Sequence, residues 1–190
     1  MKTNRSKTRT AKIPRKVSAT SLENAALYYL GRYATSSENL RQVLLRRVAR
    51  AAKHHDTDEE ACAVMIDELI LRYVSNGLLD DTAYARAQCA SLNRRGKSVR
   101  AIRGWLRQKG LGPDIIEKTL KVLGEEIVEP DLAAAIAYAR RRRFGPYRMN
   151  TIAPETRDKE LAALARSGFS YALARRIVEA TDVDELENAL

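Results

Sequence analysis

The sequence contains few cysteines and no long apolar run, and each scarcity excludes a class of protein. Only Cys62 and Cys89 are cysteines among 190 residues, so a disulfide framework is excluded and a reducing, cytoplasmic setting is predicted. No apolar run approaches the ~18 residues that a transmembrane helix needs. The basic N-terminus also lacks the apolar stretch of a secretory signal. We therefore expect no membrane association.

Residues that interrupt helices are scarce as well. The chain has five prolines and nine glycines, whereas Ala, Leu and Arg, which favour helices, are abundant. No stretch alternates apolar and polar residues for long enough to indicate a strand. The sequence therefore predicts an all-α fold.

The patterns that usually mark catalysis or metal binding are incomplete. Gly96-Lys97-Ser98 is similar to the end of a phosphate-binding loop, but Ser91 stands where that motif needs glycine, and no strand precedes it. Asp80-Asp81 stands where a helix N-terminus favours negative charge. His54-His55 lacks the i, i+4 spacing of a helical metal site. We predict no enzyme activity, no metal and no cofactor.

Positive charge is concentrated in three parts of the chain, at residues 1–20, 80–123 and, in a short run, 129–154. Lys and Arg number 34 against 24 Asp and Glu, a net charge of +10. Residues 1–20 carry seven basic residues and no acidic one, which predicts a disordered basic arm. Residues 80–123 carry ten basic and four acidic residues, whereas residues 155–190 carry five and eight. An uneven distribution of this kind favours a local contact with an acidic partner.

Capping residues and apolar spacing predict nine helices. Ser and Asp are favoured N-caps, Thr57 with Glu60 has the form of a capping box, and proline suits the first helical position. The helices are expected to begin at or near Leu22, Ser36 or Ser37, Thr57, Asp80, Ser98, Pro113, Pro130, residue 156 and Ser170.

These helices group in threes. We predict an elongated tandem array of three three-helix repeats at residues 21–79, 80–128 and 129–190, after the arm at 1–20. One internal match supports repetition, since residues 106–120 (LRQKGLGPDIIEKTL) align with residues 164–178 (LARSGFSYALARRIV). The array is expected to be a monomer.

The helix that follows Ser98 combines an apolar stripe with a basic edge. At about 100° per residue, Val99, Ile102 and Leu106 share a stripe that should be buried. Arg100, Arg103 and Arg107 fall within an arc of about 60° beside it. Like charges this close repel unless an acidic surface compensates, so a partner is favoured over a merely solvated face. Further basic residues flank this edge: Arg94, Arg95, Lys97 and Lys109.

A second basic cluster consists of Arg140, Arg141, Arg142 and Arg143, followed by Phe144 and Tyr147. Four consecutive helical residues fan around about 300° and cannot all serve one surface. Positive charge at a helix C-terminus is the alternative interpretation.

Residues 77–111 (GLLDDTAYARAQCASLNRRGKSVRAIRGWLRQKGL) resemble the RecX family, bacterial regulators of the RecA recombinase. The matching features are the Gly-Leu-Leu-Asp-Asp start, the Tyr84-Ala85 pair, the Gly96-Lys97 loop, and Ile102, Leu106 and Lys109-Gly110. Residues 26–47, 141–148 and 164–178 resemble the flanking repeats, so the resemblance covers about residues 22–180. The first repeat departs from the common pattern, since its second helix ends in Arg46-Arg47-Val48-Ala49-Arg50 rather than in Lys-Gly.

The resemblance implies a non-enzymatic protein that binds the RecA–DNA filament in its groove. It would restrain the ATPase, strand-exchange and co-protease activities of RecA in recombination and SOS repair, with weak, non-specific contact to DNA. The basic residues of both clusters are the predicted contact residues. The alternative is a stand-alone DNA-binding protein that uses helix pairs as helix-turn-helix readers.

Overall fold

The computed structural model describes residues 14–149 and 154–188. Regular structure in these ranges is helical throughout, with no strand, which confirms the all-α prediction. None of the helices described is long and apolar enough to span a membrane. The chain divides into two compact units, the first ending at Leu79 and the second beginning at Asp80.

The first unit is, from residue 14 onward, a three-helix cluster. It contains α1 (Ala19–Leu30), α2 (Ser37–Ala52) and α3 (Glu59–Ser75). Their buried faces form one core, consisting of Leu22, Ala26, Leu40, Leu44, Val48, Cys62, Ile66, Leu69, Ile70, Tyr73 and Leu79. The predicted three- and four-residue spacing of apolar residues in α2 and α3 produces these faces.

Two predicted helix starts in the first unit need correction. Helix α1 begins at Ala19, because Ser18 and Ser21 form a reciprocal capping box ahead of the predicted start. Helix α3 is capped by Asp58, whose carboxylate accepts a hydrogen bond from the Ala61 amide at 2.9 Å. The predicted Thr57–Glu60 capping box is therefore wrong by one residue. Ser36 caps α2, which is one of the two starts predicted for this helix.

The structure describes only the last part of the predicted basic arm. Residues 1–13 lie outside the described residues, so their predicted disorder stays a prediction. The Pro14 carbonyl oxygen lies 2.7 Å from Nε2 of His55, and Ala19 and Thr20 are already helical. The last residues of the predicted arm therefore form the start of α1.

The second unit contains seven further helices within its described residues. They are α4 (Asp81–Arg94), α5 (Val99–Gln108), α6 (Pro113–Glu126), α7 (Pro130–Arg142), α8 (Pro154–Arg166), α9 (Tyr171–Glu179) and α10 (Val183–Glu187), with a short 3₁₀ turn at Gly145–Tyr147. The sequence patterns did not predict α10, which Asp182 caps and which buries Leu186 completely.

Two hydrophobic clusters stabilise the second unit. Residues from α4, α5 and α6 form one, and residues from α7 to α10 form the other. The internal sequence match has a structural counterpart, because Leu106 and Leu164 are both fully buried. The amides of Leu111 and Phe169 each donate to the carbonyl of the residue five positions earlier, at 3.3 Å in both cases.

Hydrogen bonds join these two halves of the second unit. The Asn93 side chain donates to the Pro130 carbonyl at 2.8 Å. The Val99 amide donates to Asp131 Oδ1 at 2.7 Å, so a carboxylate from α7 accepts a hydrogen bond from the first residue of α5. The Ser98 hydroxyl donates to the Ser167 carbonyl at 2.8 Å. The α4–α5 loop is therefore held against α7 and against the α8–α9 loop.

Candidate partner-binding surface

Helix α5 has the orientation that its sequence predicts. Ile102 and Leu106 are fully buried, whereas Arg100 and Arg107 are exposed. Burial of the apolar stripe fixes the rotation of the helix. Arg100 and Arg107 therefore lie along one exposed edge, with their backbone positions about 10 Å apart along the helix axis at ~1.5 Å per residue.

Arg103, between them, is already paired. Its Nε and Nη2 donate to the two carboxylate oxygens of Glu117 on α6 at 2.9 and 3.0 Å. This bidentate pair lowers the pKa of Glu117 below its usual value, and Arg107 adds a smaller effect in the same direction. The sequence showed no acidic residue between Arg94 and Lys109, but the carboxylate comes from the next helix. The basic edge is therefore less repulsive than the sequence indicated.

The end of α4 and the following loop add exposed positive charge. Arg94, Arg95 and Lys97 are all exposed. The Arg95 side chain donates to the backbone oxygen of Ser91 at 3.3 Å, and no carboxylate pairs with it among residues 14–149 and 154–188. Gly96, between Arg95 and Lys97, is buried against α7. This contact fixes the path of the loop.

Lys109 lies at the other end of α5, beside Trp105. Its Nζ is 5.4 Å from the centre of the indole ring, and that ring stacks on Tyr84 with 6.3 Å between centroids. Trp105 is half-buried and packs against the core. The ammonium group thus lies against an aromatic face.

The four arginines of the second basic cluster do not share one set of contacts. Arg140 pairs with Glu187 of α10 and lies over the Tyr147 ring. Arg141 instead donates to the Arg95 carbonyl at 2.6 Å. Arg142 and Arg143 are exposed, and Arg143 ends α7 in the left-handed conformation, with φ = 59°. The sequence predicted such a fan but did not identify these partners.

The Arg141–Arg95 hydrogen bond brings the two predicted clusters together. We define the basic surface as a set of exposed basic residues. They lie at the end of α4, in the α4–α5 loop and on the edge of α5, together with Arg141, which the hydrogen bond joins to them: Arg94, Arg95, Lys97, Arg100, Arg107 and Arg141. Arg166 ends α8 just before Ser167, whose carbonyl accepts from Ser98. The Ser98–Ser167 hydrogen bond brings the end of α8, at Arg166, to the α4–α5 loop. No sequence signal predicted this contact, because it depends on how the two loops pack.

Metal-binding and thiol chemistry have little support in the described part of the chain. No group of three His, Cys, Asp or Glu residues in residues 14–149 and 154–188 could hold a metal ion. Cys62 and Cys89 are free and buried. Burial raises the pKa of the Cys89 thiol to about 11, which opposes formation of the reactive thiolate.

Known proteins that resemble this chain share one description. The family model for RecX, second three-helix domain, matches residues 80–120. The Regulatory protein RecX of Myxococcus xanthus is 42% identical over 174 residues, which is 91% of this chain and 92% of that protein. The Regulatory protein RecX of Agrobacterium fabrum is 30% identical over 167 residues, or 88% and 86% of the two chains.

Solved structures show the same fold. A crystal structure of regulatory protein RecX matches with a TM-score of 0.59 at 23% identity, and covers 85% of this chain and 72% of that one. A crystal structure of RecX from Lactobacillus salivarius matches with a TM-score of 0.57 at 21% identity, and covers 90% and 97%.

Proposed function

This chain belongs to the RecX family of regulatory proteins, and from that premise we propose that it binds the RecA filament on DNA and lowers its activity. The activities affected are ATP hydrolysis, strand exchange and co-protease function during recombination and SOS repair. The protein acts as a cytoplasmic monomer and catalyses no reaction itself.

The observation that supports this proposal most strongly is the basic surface of the second unit. Two predicted clusters, 46 residues apart in the chain, meet through the Arg141–Arg95 hydrogen bond. Arg guanidinium groups form bidentate contacts with carboxylates and phosphates. The surface therefore suits both the acidic patches of a protein filament and the DNA that the filament holds.

The helix-turn-helix alternative has weaker support. In a helix-turn-helix pair the second helix enters the major groove, and in the α5–α6 pair that helix is α6. Its sequence carries four acidic residues and two lysines, so it would bring net negative charge to the phosphates. Sequence-specific binding through α6 is therefore unfavourable.

The test is the DNA-dependent ATPase activity of RecA. Wild-type protein should reduce hydrolysis, and Arg100→Glu/Arg107→Glu should raise the concentration for half-maximal inhibition by at least about tenfold, because a charged hydrogen bond contributes ~1.5–3 kcal/mol. Arg103 is left in place, because its loss would also remove the ion-pair partner of Glu117.

The matched control is Arg86→Glu/Lys118→Glu. It makes the same change in charge at exposed residues of α4 and α6 outside the basic surface, and should inhibit as wild type does. Unchanged hydrolysis at saturating wild-type protein would contradict the proposed function. Equal inhibition by both variants would contradict only the assignment of the surface.

A further inference from the structure

The first unit contains a groove that the proposed surface does not include. It lies between α1 and α2 and has a volume of about 660 Å³. Its lining includes Tyr28, Tyr29 and four cations, Arg15, Lys16, Arg47 and Arg50. We propose that this groove binds single-stranded nucleic acid. The groove lies wholly in the first unit, so the inference does not depend on the basic surface of the second unit.

Charge is the first support for this assignment. Four of the lining residues are cations and none is acidic. The Nε of Arg50 donates to the backbone oxygen of Arg46 at 3.2 Å, and within the described part of the chain no carboxylate pairs with it. A row of cations along a groove follows a phosphate backbone.

Exposed aromatic rings are the second support. Tyr28 lines the groove and is 63% exposed, whereas Tyr33, which is 55% exposed, is not among the lining residues. Tyr29 packs on Tyr33 with 5.0 Å between ring centroids, and the Arg32 guanidinium lies 4.4 Å from the centre of the Tyr28 ring. Large exposed rings are costly in water but provide stacking faces for bases. Cations and stacking rings in one groove are typical of sites for unpaired strands, whose bases are free to stack.

Two other occupants fit less well. Residues 1–13 of the chain carry five Lys or Arg and no acidic residue, so the charge of this segment does not complement the groove. An acidic peptide would pair with the cations but would leave the exposed tyrosine faces without a use. Nucleic acid complements both features.

The experiment is the binding of fluorescein-labelled oligothymidylate to the full chain, measured by fluorescence anisotropy across a range of salt concentrations. Arg47→Glu/Arg50→Glu should weaken binding about tenfold or more and reduce the salt slope by about 1.4, at ~0.7 for each phosphate that is no longer neutralised. The matched control, Arg46→Glu/Lys53→Glu, makes the same charge change at exposed residues of α2 and its C-cap. These two residues do not line the groove, so affinity should be unchanged.

The ring contribution is tested separately at Tyr28. Tyr28→Ala should weaken binding about tenfold, as expected for the loss of one stacked base, whereas Tyr28→Phe should bind as wild type does. Photo-cross-linking with iodouridine in the strand should label the first unit at this ring. Tyr28 is exposed and is not part of the core of the first unit, so the fold should tolerate both changes.

Three results would overturn the proposal. In one, the groove variants bind the oligonucleotide as tightly as the matched control does. In another, cross-links fall only in residues 80–190. In the third, a labelled oligoglutamate peptide binds with the same dependence on Arg47 and Arg50 while the oligonucleotide does not, which would make the groove a site for acidic peptides.

Discussion

Gly96 provides the most direct test of how the basic surface is built. The residue has φ = 77°, and a Cβ placed there would lie 2.7 Å from the Tyr138 nitrogen and 3.0 Å from the Ala134 oxygen. Both neighbours are helix backbone of α7, which cannot move aside as a side chain would. Gly96→Ala would therefore strain the loop and separate α4 from α7.

The expected cost has two parts. The left-handed conformation costs a residue with a Cβ about 1–2 kcal/mol, and overpacking adds about 1–3 kcal/mol. Together they predict a loss of about 2–5 kcal/mol in the free energy of unfolding of the second unit. Urea unfolding followed by the fluorescence of Trp105, the single tryptophan, measures this unit.

Gly104→Ala is the matched control, because Gly104 lies inside α5 with no atom within 4 Å of its added Cβ. Removing a glycine from a helix interior should stabilise the unit by about 0.5–1 kcal/mol. If Gly96→Ala were as stable as wild type, or if both substitutions had the same effect, the close packing of this loop on α7 would be refuted.

Further predictions concern two ion pairs and one buried thiol. Glu160 is buried and accepts from Arg148 Nε at 2.7 Å, so Glu160→Gln should lower the free energy of urea unfolding by about 3 kcal/mol through loss of a buried ion pair; an effect below about 1 kcal/mol, the size expected of an exposed pair, would contradict this. Asp67 has a lowered pKa because Arg41 donates to it, so the pair stabilises the fold above the unfolded carboxyl pKa, and this contribution disappears as pH falls through the lower folded pKa. Asp67→Asn should therefore cost about 0.5 kcal/mol at neutral pH, because solvent screens a half-exposed pair, and nothing in strong acid; a difference that persists in acid unfolding would refute the linkage. Iodoacetamide should modify Cys89 no faster than the second unit unfolds, since the thiol is buried with a pKa raised to about 11; rapid labelling followed by mass spectrometry would show that this packing is wrong.

Much of the fold could be predicted because its signals are local. Ser98 before α5 and the apolar stripe of Ile102 and Leu106 specify both the start and the rotation of that helix. The error at α3 is equally local, since Thr57 and Asp58 are adjacent and both are acceptable caps, and only the geometry shows which one bonds the amide.

The candidate surface was harder to predict because it depends on distant neighbours. Arg103 pairs with Glu117, fourteen residues further along the chain, and Arg140 pairs with Glu187 of a helix that the sequence did not indicate. The approach of Arg141 to Arg95 follows from how α7 packs on the α4–α5 loop. Helical periodicity shows which way a side chain points on its own helix, but not which charge stands opposite it.

The most direct test of the central claim is site-specific photo-cross-linking to the assembled RecA–DNA filament. A photoreactive benzoylphenylalanine in place of Arg107, on the basic surface, should cross-link to the filament, and the same group in place of the exposed Lys118 on α6 should give little product. Efficient cross-linking from position 118 and none from position 107 would contradict the assignment of this surface as the contact with the filament.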